Sequence, residues 1–121
     1  MADITYELIK KSLDASALRQ RVIAHNIANI NTKGFKRSEV VFEDTLKKEL
    51  DKKGNNLSNI DSIKPEVKTD YSTSIREDGN NIDIDLEMAN MAANSLLFNT
   101  LVTQFNTKLS VMRYVINEGR K

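Results

Sequence analysis

The chain has 121 residues, of which 40% are hydrophobic and 6% aromatic, and its 18 basic side chains nearly balance 17 acidic ones. The net charge of +1 gives no electrostatic reason to expect nucleic acid as a partner, and no apolar run is long enough for direct membrane insertion. Because the sequence has no cysteine, disulfides, thiol nucleophiles and zinc–thiolate sites are excluded.

The first predicted element is a helix from Ile4 to about Ala28. This stretch contains no Gly or Pro and is rich in Leu, Ala, Ile, Arg and Lys. Its apolar residues form two stripes on a helical wheel, whereas a surface helix needs only one. One stripe comprises Ile4, Leu8, Ala15, Leu18 and Val22, and the other comprises Tyr6, Ile9, Leu13, Ala17, Ala24 and Ile27. Two stripes predict cover on two sides, and one partner helix within the chain can cover only one of them. This favours burial against neighbouring subunits, although the central segment could cover the other stripe.

The helix runs into a stretch rich in Asn, with one Gly, between residues 26 and 37. These residue types tolerate the left-handed backbone conformation that ends helices and forms turns. The pattern predicts that the helix stops near Asn29, that Gly34 has a positive φ and that Phe35 anchors the loop.

The central segment is polar and weakly patterned. Val40 to Lys53 predicts a short amphipathic helix whose apolar face would contain Val41, Phe42, Leu46 and Leu50. From Gly54 to Asn81 the chain is mostly polar. Within it, Glu66 to Tyr71 alternates weakly and predicts a short strand that could pair with Thr73 to Arg76. The rest is a long loop, which predicts a segment that is functional, mobile or ordered by partners.

A second long helix is predicted from Asp85 to Glu118, where apolar residues recur at steps of three and four and one slot falls on Ser95. Such a heptad seam is typical of a helix that packs with coiled-coil geometry, in a monomeric bundle or in an oligomer. At 1.5 Å per residue the helix would be about 50 Å long, longer than a compact domain of this size is wide. The predicted assembly seam comprises Met88, Met91, Phe98, Val102, Phe105, Leu109, Met112 and Ile116, with Leu8, Leu18 and Val22 of the first helix.

The turn before this helix supplies its predicted cap. Asp83 or Asp85 can accept hydrogen bonds from the free N–H groups of the first helical turn, and Glu87 adds a negative charge that the helix dipole favours there.

Together these elements predict a mainly α fold. Long N- and C-terminal helices form a coiled-coil-like pair, and an irregular polar middle holds a short helix and a small β-hairpin. Three segments, 1–37, 38–81 and 82–121, would form one elongated domain, because the two long helices can meet only if the chain folds back on itself.

An enzyme interpretation has little support. The single histidine, His25, lies within the first helix with no acid or nucleophile spaced to work with it. The acids Asp78, Asp83, Asp85 and Glu87 resemble a cation site at first sight, but the Gly and Glu that an EF-hand loop requires are not in register. Helix capping explains these acids better, and we predict no catalytic, metal or cofactor site.

The stretch from residue 26 to residue 37 resembles the N-terminal signature of the bacterial flagellar rod, hook and hook-associated proteins. In that family a long helix precedes a motif of the form Asn-x-Ala-Asn-x-x-Thr-Pro-Gly-aromatic-Lys. Lys33 stands where the family usually has Pro, which loses a fixed φ before Gly34 but leaves the turn possible. The matching residues are Asn26, Ala28, Asn29, Thr32, Gly34, Phe35 and Lys36.

Residues 79–88 resemble the entry to the C-terminal helix of the same family. The pairing of Asn-Asn-hydrophobic-Asp with Glu-Met is most similar to the proximal rod proteins, and the short chain suits them, since hook and distal rod proteins insert larger domains. The C-terminal helix lacks the Ala-Tyr-x-Ala-Asn run of other members, and Phe98–Leu101 stands near that place. The resemblance covers roughly the first and last thirds of the chain.

The resemblance implies a structural protein of the proximal rod, without catalytic activity or cofactor. Such subunits assemble helically through their terminal helices into the shaft that spans the periplasm, transmits torque and encloses the export channel. Implied partners are copies of the chain, other flagellar rod proteins, the rod-to-ring adaptor, the membrane ring and the export gate. The implied location is the rod of the flagellar basal body in the periplasm, reached by type III export without a cleaved signal peptide.

The alternative is a soluble helical adaptor or chaperone for type III export. It would use the same amphipathic helices and fold as a stable bundle, but it has no reason to carry both end motifs. For a rod subunit we expect the free chain to be partly disordered at both ends, because one chain cannot cover all of its own apolar stripes.

Overall fold

The computed structural model describes residues 4–52, 60–72, 74 and 76–119. Two long helices from the two ends of the chain pack against each other, and a small two-stranded sheet lies beside them. This mainly helical architecture, with a short helix and a small antiparallel sheet in the middle, confirms the predicted fold class. The elements are α1 (Ile4–Ala28), β1 (Ser38–Val41), α2 (Glu43–Lys52), a 3₁₀ turn (Ile60–Ser62), β2 (Glu66–Thr69) and α3 (Ile84–Glu118).

Helix α1 ends where the sequence predicts. After Ala28, the side chain of Asn29 folds back and its Nδ2 donates to the carbonyl oxygen of His25 at 2.8 Å. The same oxygen also accepts from the backbone N–H of Asn29 at 3.2 Å, so Asn29 closes the last turn of α1 through both its backbone and its side chain. Gly34 then turns the chain with φ +73°, the left-handed conformation expected at this position.

Helix α3 has 35 residues and α1 has 25, so α3 is about 15 Å longer at 1.5 Å per residue. The helices run antiparallel. Three contacts along their length show this: Asn26 with Glu87, Ser16 with Asn94, and Tyr6 with Phe105. This pairing brings Ile4 level with the residues just after Phe105, and the part of α3 beyond about Leu109 therefore extends past the described start of α1.

Near its start, α3 contacts α1 through different residues from those that the heptad pattern suggests. The pattern leaves a slot at Ser95, which accepts a 3.4 Å bond from Gln20 of α1, but the buried residue of this contact is Asn94, with 4% of its surface exposed. Met88 is 51% exposed within the single chain, and its neighbour Glu87 is buried instead. A pattern of apolar residues could not locate this part of the contact, because its two deepest residues are polar.

The amphipathic pattern assigned Val40 and Val41 to a helix, and this prediction was wrong. Both belong to β1, and α2 begins only at Glu43. Two successive β-branched residues suit a strand better than a helix, because branching at Cβ restricts χ1 against the preceding helical turn.

Strand β2 forms in the predicted place but with another partner. It pairs antiparallel with β1, so that Ser38 lies opposite Thr69 and Val41 lies opposite Glu66. The predicted partner was residues 73–76, of which residues 73 and 75 lie outside the described part of the chain. The strand therefore closes a long-range contact that the local alternation could not reveal.

A small core lies against one side of α1. Ala15 is 1% exposed and packs with Phe42 and Ile63, and Leu46 of α2 joins at the edge. The central segment thereby covers the first predicted stripe of α1 at Ala15. The second stripe faces α3 at Tyr6, whose ring lies 5.3 Å from that of Phe105.

Candidate assembly interface

The two predicted motifs meet where the loop after α1 docks on the turn before α3. We call residues 26–37 the motif loop and residues 78–83 the Asn turn. Asn80 is fully buried, and its Nδ2 donates to the carbonyl oxygens of Asn29 (2.9 Å), Ile30 (3.0 Å) and Thr32 (2.9 Å). The amide group has two hydrogens, so the three acceptors share them. A single side chain of the Asn turn thus supplies hydrogen bonds to three backbone carbonyls of the segment that follows α1.

Two glycines let the motif loop and the Asn turn approach each other. Gly34 has φ +73° and donates its N–H to the carbonyl oxygen of Asp78 at 2.8 Å. Gly79 has φ +82°, and a Cβ there would lie 3.5 Å from the Cα of Gly34. A left-handed conformation costs other residues roughly 1–2 kcal/mol, so glycine suits both positions.

Lys36 and Arg37 extend the docking toward the sheet. Lys36 Nζ donates to a carbonyl oxygen of the Asn turn at 2.5 Å, and the backbone N–H of Arg37 donates to Oδ1 of Asn81 at 2.8 Å. Nδ2 of Asn81 in turn donates to the carbonyl oxygen of Asp70 at 2.8 Å. The pKa of the Asp70 carboxyl is lowered by hydrogen bonds from Ser72 and, to a smaller extent, by the charge of Arg37.

A buried ion pair lies beneath the motif loop. Glu87 is fully buried, and its carboxylate accepts from Nε of Arg37 at 2.6 Å and from Nδ2 of Asn26 at 3.2 Å. Burial alone would lower the pKa of Arg37, but the hydrogen bond and the negative charge of Glu87 outweigh it, and the pKa is raised. The guanidinium is therefore held charged, and the pair ties the first turn of α3 to the end of the motif loop.

Asn26 joins this ion pair to the sheet. Its Oδ1 accepts from the N–H of Ser38 at 2.9 Å, and its Nδ2 donates to the carbonyl oxygen of Ser38 at 2.8 Å. The asparagine side chain carries the same donor and acceptor as a peptide group, so it pairs with β1 as a neighbouring strand would. The fully buried Asn26 thus connects α1, β1 and α3 at one point.

The three predicted cap residues have different positions. Asp83 is the N-cap residue of α3, and its carboxylate accepts from the N–H groups of Asp85 (3.0 Å) and Leu86 (3.3 Å). Asp85 is exposed in the first turn, where a negative charge favours the helix dipole. Glu87 also lies in the first turn, but its side chain points into the protein toward Arg37, a contact that the sequence interpretation missed.

A second polar layer crosses the helix pair farther from the loops. Nδ2 of Asn94 donates to the carbonyl oxygen of Ser16 at 2.9 Å and to Oε1 of Gln20 at 2.8 Å. Oγ of the fully buried Ser16 donates back to Oδ1 of Asn94 at 3.0 Å. A shifted pairing of the helices would leave these buried groups without partners, so the layer specifies the alignment of α1 and α3.

The remaining motif residues lie on the surface side of the loop. Ala28 and Thr32 are exposed, and Oγ1 of Thr32 donates to Oδ1 of Asn29 at 3.0 Å. Phe35 is half-buried, and its ring meets that of His25 edge-on with 5.6 Å between the centroids. Phe35 therefore packs back against the last turn of α1.

The chain covers its predicted assembly seam only in part. Half-buried seam residues are Leu8, Leu18, Val22, Met91, Val102, Phe105, Leu109, and exposed ones are Met88, Phe98, Met112 and Ile116. We call residues 109–118 the overhang of α3. There the exposed apolar side chains are Val111 (52%), Met112 (36%), Tyr114 (66%), Val115 (62%) and Ile116 (55%). Such a surface, open on several sides of one helix, is typical of an interaction site.

Sequence reasoning found the two motifs but missed the contacts between them. Asn80 was predicted as part of the turn and of the second motif, without a bonding partner, and Asn94 was not predicted as a contact residue. The available signal for Asn94 was the interrupted seam, since a polar residue within a heptad repeat indicates a buried polar layer. No local signal could pair Arg37 with Glu87, which are 50 positions apart.

None of the described helices combines the length and the apolarity that crossing a membrane would require.

Comparison with known proteins identifies relatives over most of the chain. The family model described as flagella basal body rod protein matches residues 12–36, which cover most of α1 and the motif loop. The chain is 38% identical over 112 residues to the flagellar basal body rod protein FlgB of Borrelia hermsii, with 79% of this chain and 83% of the relative covered. It is 30% identical over 130 aligned residues to FlgB of Bacillus subtilis strain 168, with 96% and 95% covered. It is 28% identical over 132 aligned residues to FlgB of Proteus mirabilis strain HI4320, with 95% of both chains covered.

Proposed function

The chain belongs to the FlgB family of flagellar basal body rod proteins, and we propose that it is a proximal rod subunit that assembles helically through its two terminal helices. The family is structural and not enzymatic, and the chain is accordingly a structural component of the basal body rod. Family membership also removes the reason for the adaptor or chaperone alternative, since the paired end motifs are those of a rod protein.

The overhang of α3 is the observation that supports assembly most directly. Val111, Tyr114, Val115 and Ile116 each expose more than half of their surface in the single chain. Burial of apolar surface contributes about 25 cal/mol per Å², so covering several such side chains favours association. The contact face between α1 and α3 ends before the overhang does, and a helix from another subunit would continue it.

The proposed rod encloses the export channel and transmits torque across the periplasm. The buried Arg37–Glu87 pair and the Ser16–Asn94 layer support this role, because they resist sliding of α3 along α1 under load. As a rod component the chain belongs with the other rod proteins of the basal body. We further propose copies of itself, the rod-to-ring adaptor, the membrane ring and the export gate as neighbours, and the type III apparatus as its export route.

A charge placed in the overhang tests the proposal. We expect Val115→Asp to prevent incorporation into basal bodies and to abolish swimming in cells that lack the unsubstituted protein, because an unpaired buried carboxylate costs several kcal/mol. Val115 is already 62% exposed in the single chain, so the far-UV circular dichroism of the free variant should not change.

Asn117→Asp is the matched control, since it adds the same charge two residues away on the polar side of α3. It should be incorporated and should support swimming. Normal swimming of cells that carry Val115→Asp would overturn assembly through the overhang.

A further inference from the structure

We propose that two copies of the free chain pair through the edge of β2 that faces away from β1, so that their two small sheets join into one sheet of four strands. We call this edge the free edge of β2. The two copies run antiparallel about a two-fold axis at Val67, and the same edge therefore serves both partners. The pairing concerns the free chain and does not depend on the proposed rod function.

The hydrogen bonds of β1 show which backbone groups of β2 lie on the free edge. Ser38 bonds to the side chain of Asn26 through both its N–H and its carbonyl oxygen, at 2.9 and 2.8 Å, so its backbone faces away from β2. In an antiparallel ladder, opposite residues exchange both hydrogen bonds or neither, and the two kinds of pair alternate. Thr69 lies opposite Ser38, and Val67 lies opposite Val40, two positions along the same ladder. The N–H and C=O groups of Thr69 and Val67 therefore face away from β1.

The free edge is open in the part of the chain that the structure describes. All four residues of β2 are exposed, and no hydrogen bond among the described residues reaches the backbone of Val67 or Thr69. Such a row of unpaired backbone groups is a template for another strand. The opposite edge of the sheet lies against α1, where Asn26 already bonds to Ser38. The sheet can therefore add a strand on one side only, and association stops at two copies.

The charges of β2 select the register of the second copy. When Val67 lies opposite Val67 of the second copy, each Glu66 lies opposite a Lys68. A register centred on Lys68 or on Glu66 instead places two like charges opposite each other. Opposite charges on adjacent strands stabilise a sheet, and like charges destabilise it. A register centred on Thr69 would pair Lys68 with Asp70, but it overlaps less of the strand, because Asp70 already lies beyond β2.

The same register matches the side chains on both faces of the joined sheet. Val40 lies opposite Val67 within one chain, so one face carries a row of four valines, two from each copy. Val40 is 8% exposed and Val67 is 51% exposed, so the second copy covers the open end of this apolar row. On the other face Glu39 lies opposite Lys68. Each Lys68 then stands between Glu39 of its own chain and Glu66 of the second copy.

The paired edge is short, so the pair is weak and reversible. Pro65 lies opposite Thr69 of the second copy and has no N–H to donate, and the ladder ends there. Interfaces of this size are typical of transient association. A two-fold pair holds its copies in opposite directions, whereas the subunits of a helical rod all point the same way. The pair therefore separates before incorporation into a rod, and this consequence alone rests on the proposed function.

Sedimentation equilibrium of the full-length chain over a range of concentrations tests the pairing. We expect a reversible equilibrium between monomer and dimer that weakens as salt is added, because exposed ion pairs are screened. A chain that stays monomeric up to about 1 mM, or that forms larger oligomers instead of a dimer, would overturn the proposal. Val115→Asp changes the overhang alone and should leave the dimer intact. Loss of the dimer in that variant would mean that the copies meet through the overhang, which would also overturn the proposal.

Two charge variants test the register. Glu66→Lys and Lys68→Glu each place two like-charged pairs across the interface, so we expect each to weaken self-association about tenfold or more, which is about 1.4 kcal/mol. A mixture of the two variants restores opposite charges at both positions and should form a heterodimer. Glu77→Lys is the matched control, since it makes the same change in charge at an exposed residue outside β2, and it should dimerise normally. A mixture that does not associate would contradict the register.

Single cysteines locate the two-fold axis. The natural sequence has no cysteine, so a disulfide of the Val67→Cys chain can join only two copies. Directly opposite residues of antiparallel strands have Cα atoms about 5.5 Å apart or less, which suits a disulfide. We expect Val67→Cys to cross-link about tenfold faster than Thr69→Cys, whose two copies are not opposite each other in this register. Faster cross-linking of Thr69→Cys would contradict an axis at Val67.

Discussion

The two ends of the α1–α3 pair differ in the contacts that they make. We call residues 16–42 together with 76–97 the loop end, and residues 4–12 together with 101–118 the open end. At the loop end, Asn80 donates to three carbonyls of the motif loop, and the fully buried Glu87 accepts from Arg37 at 2.6 Å. At the open end, Tyr6 packs on Phe105 and the overhang exposes Val115. Directional polar contacts specify one partner, whereas apolar contacts accept any surface of suitable shape.

Folding and assembly use different regions of the same chain. The contacts that define the fold of the subunit lie at the loop end and in the small core around Phe42, and the surface that we propose for assembly lies at the open end. Substitutions at the loop end should therefore reduce the stability of the free chain, and substitutions at the open end should spare it.

Two phenylalanines give the largest expected difference. Phe42 is 2% exposed and packs with Ala15 and Ile63, so Phe42→Ala should lower the free energy of unfolding by about 3–4 kcal/mol. Phe105→Ala removes a half-buried ring at the open end and should lower it by less than about 1 kcal/mol. Urea unfolding of the free chain measures both, and similar losses would show that the open end is as firmly closed as the core.

Two arginine–glutamate pairs of similar length differ in burial. Glu87→Ala removes the buried partner of Arg37, whose side chain is 13% exposed and keeps only the more distant carboxylates of Glu39 (3.4 Å) and Asp70 (3.8 Å). This substitution should lower the free energy of unfolding by about 3 kcal/mol. Glu43→Ala breaks the 2.7 Å pair with Arg19, in which the Glu43 side chain is 59% exposed, and should cost less than about 1 kcal/mol. An equal effect of the two substitutions in urea unfolding would mean that the buried pair does not hold the loop end.

Substitutions at Gly34 distinguish the cost of backbone strain from the cost of steric crowding. A Cβ at Gly34 would meet no atom within 4 Å, so the cost of a larger residue comes from φ +73° alone. Gly34→Val should lower the free energy of unfolding by roughly 1–2 kcal/mol, and Gly34→Asn should lower it less, because Asn tolerates the left-handed conformation. Equal losses for Val and Asn would contradict the assignment of strain at this turn.

The smallest expected effect is acid sensitivity at Asp70, which lies just outside the loop end and 3.8 Å from Arg37. Its folded-state pKa is lowered from 3.8, so its contribution to stability is fully present above that value and is lost as pH falls through the lowered pKa. Asp70→Asn should therefore flatten this part of the dependence of urea unfolding on pH. The hydrogen exchange of residues 105–118 should not respond, and a response there would show that the two ends are coupled.

Helices could be predicted from this sequence because their signals are local. Stretches without Gly or Pro predicted the helix Ile4–Ala28 and almost the whole of Ile84–Glu118. The glycine at position 34 predicted the positive φ of the motif loop. The end motifs were also recognisable as sequence. The contacts between the two motifs could not be predicted, because Asn80 bonds to carbonyls about 50 positions away, which no local pattern encodes.

The errors share one physical cause, which is that long-range contacts decide between local alternatives. The local pattern predicted Val41 in a helix, but its pairing with Glu66 of β2 makes it a strand residue. Glu87 was explained by the helix dipole, although a buried carboxylate requires a cation, here Arg37. The contact face of α3 was predicted from apolar residues alone, but its most buried uncharged residue is the polar Asn94.

The measurement that tests the account most directly is maleimide labelling of a Val115→Cys chain, which would carry a single thiol because the natural sequence has no cysteine. We predict rapid labelling of the free chain, where Val115 is 62% exposed, and strong protection in purified basal bodies, where a neighbouring subunit covers the overhang. Labelling at the same rate in the free chain and in basal bodies would contradict assembly through this surface.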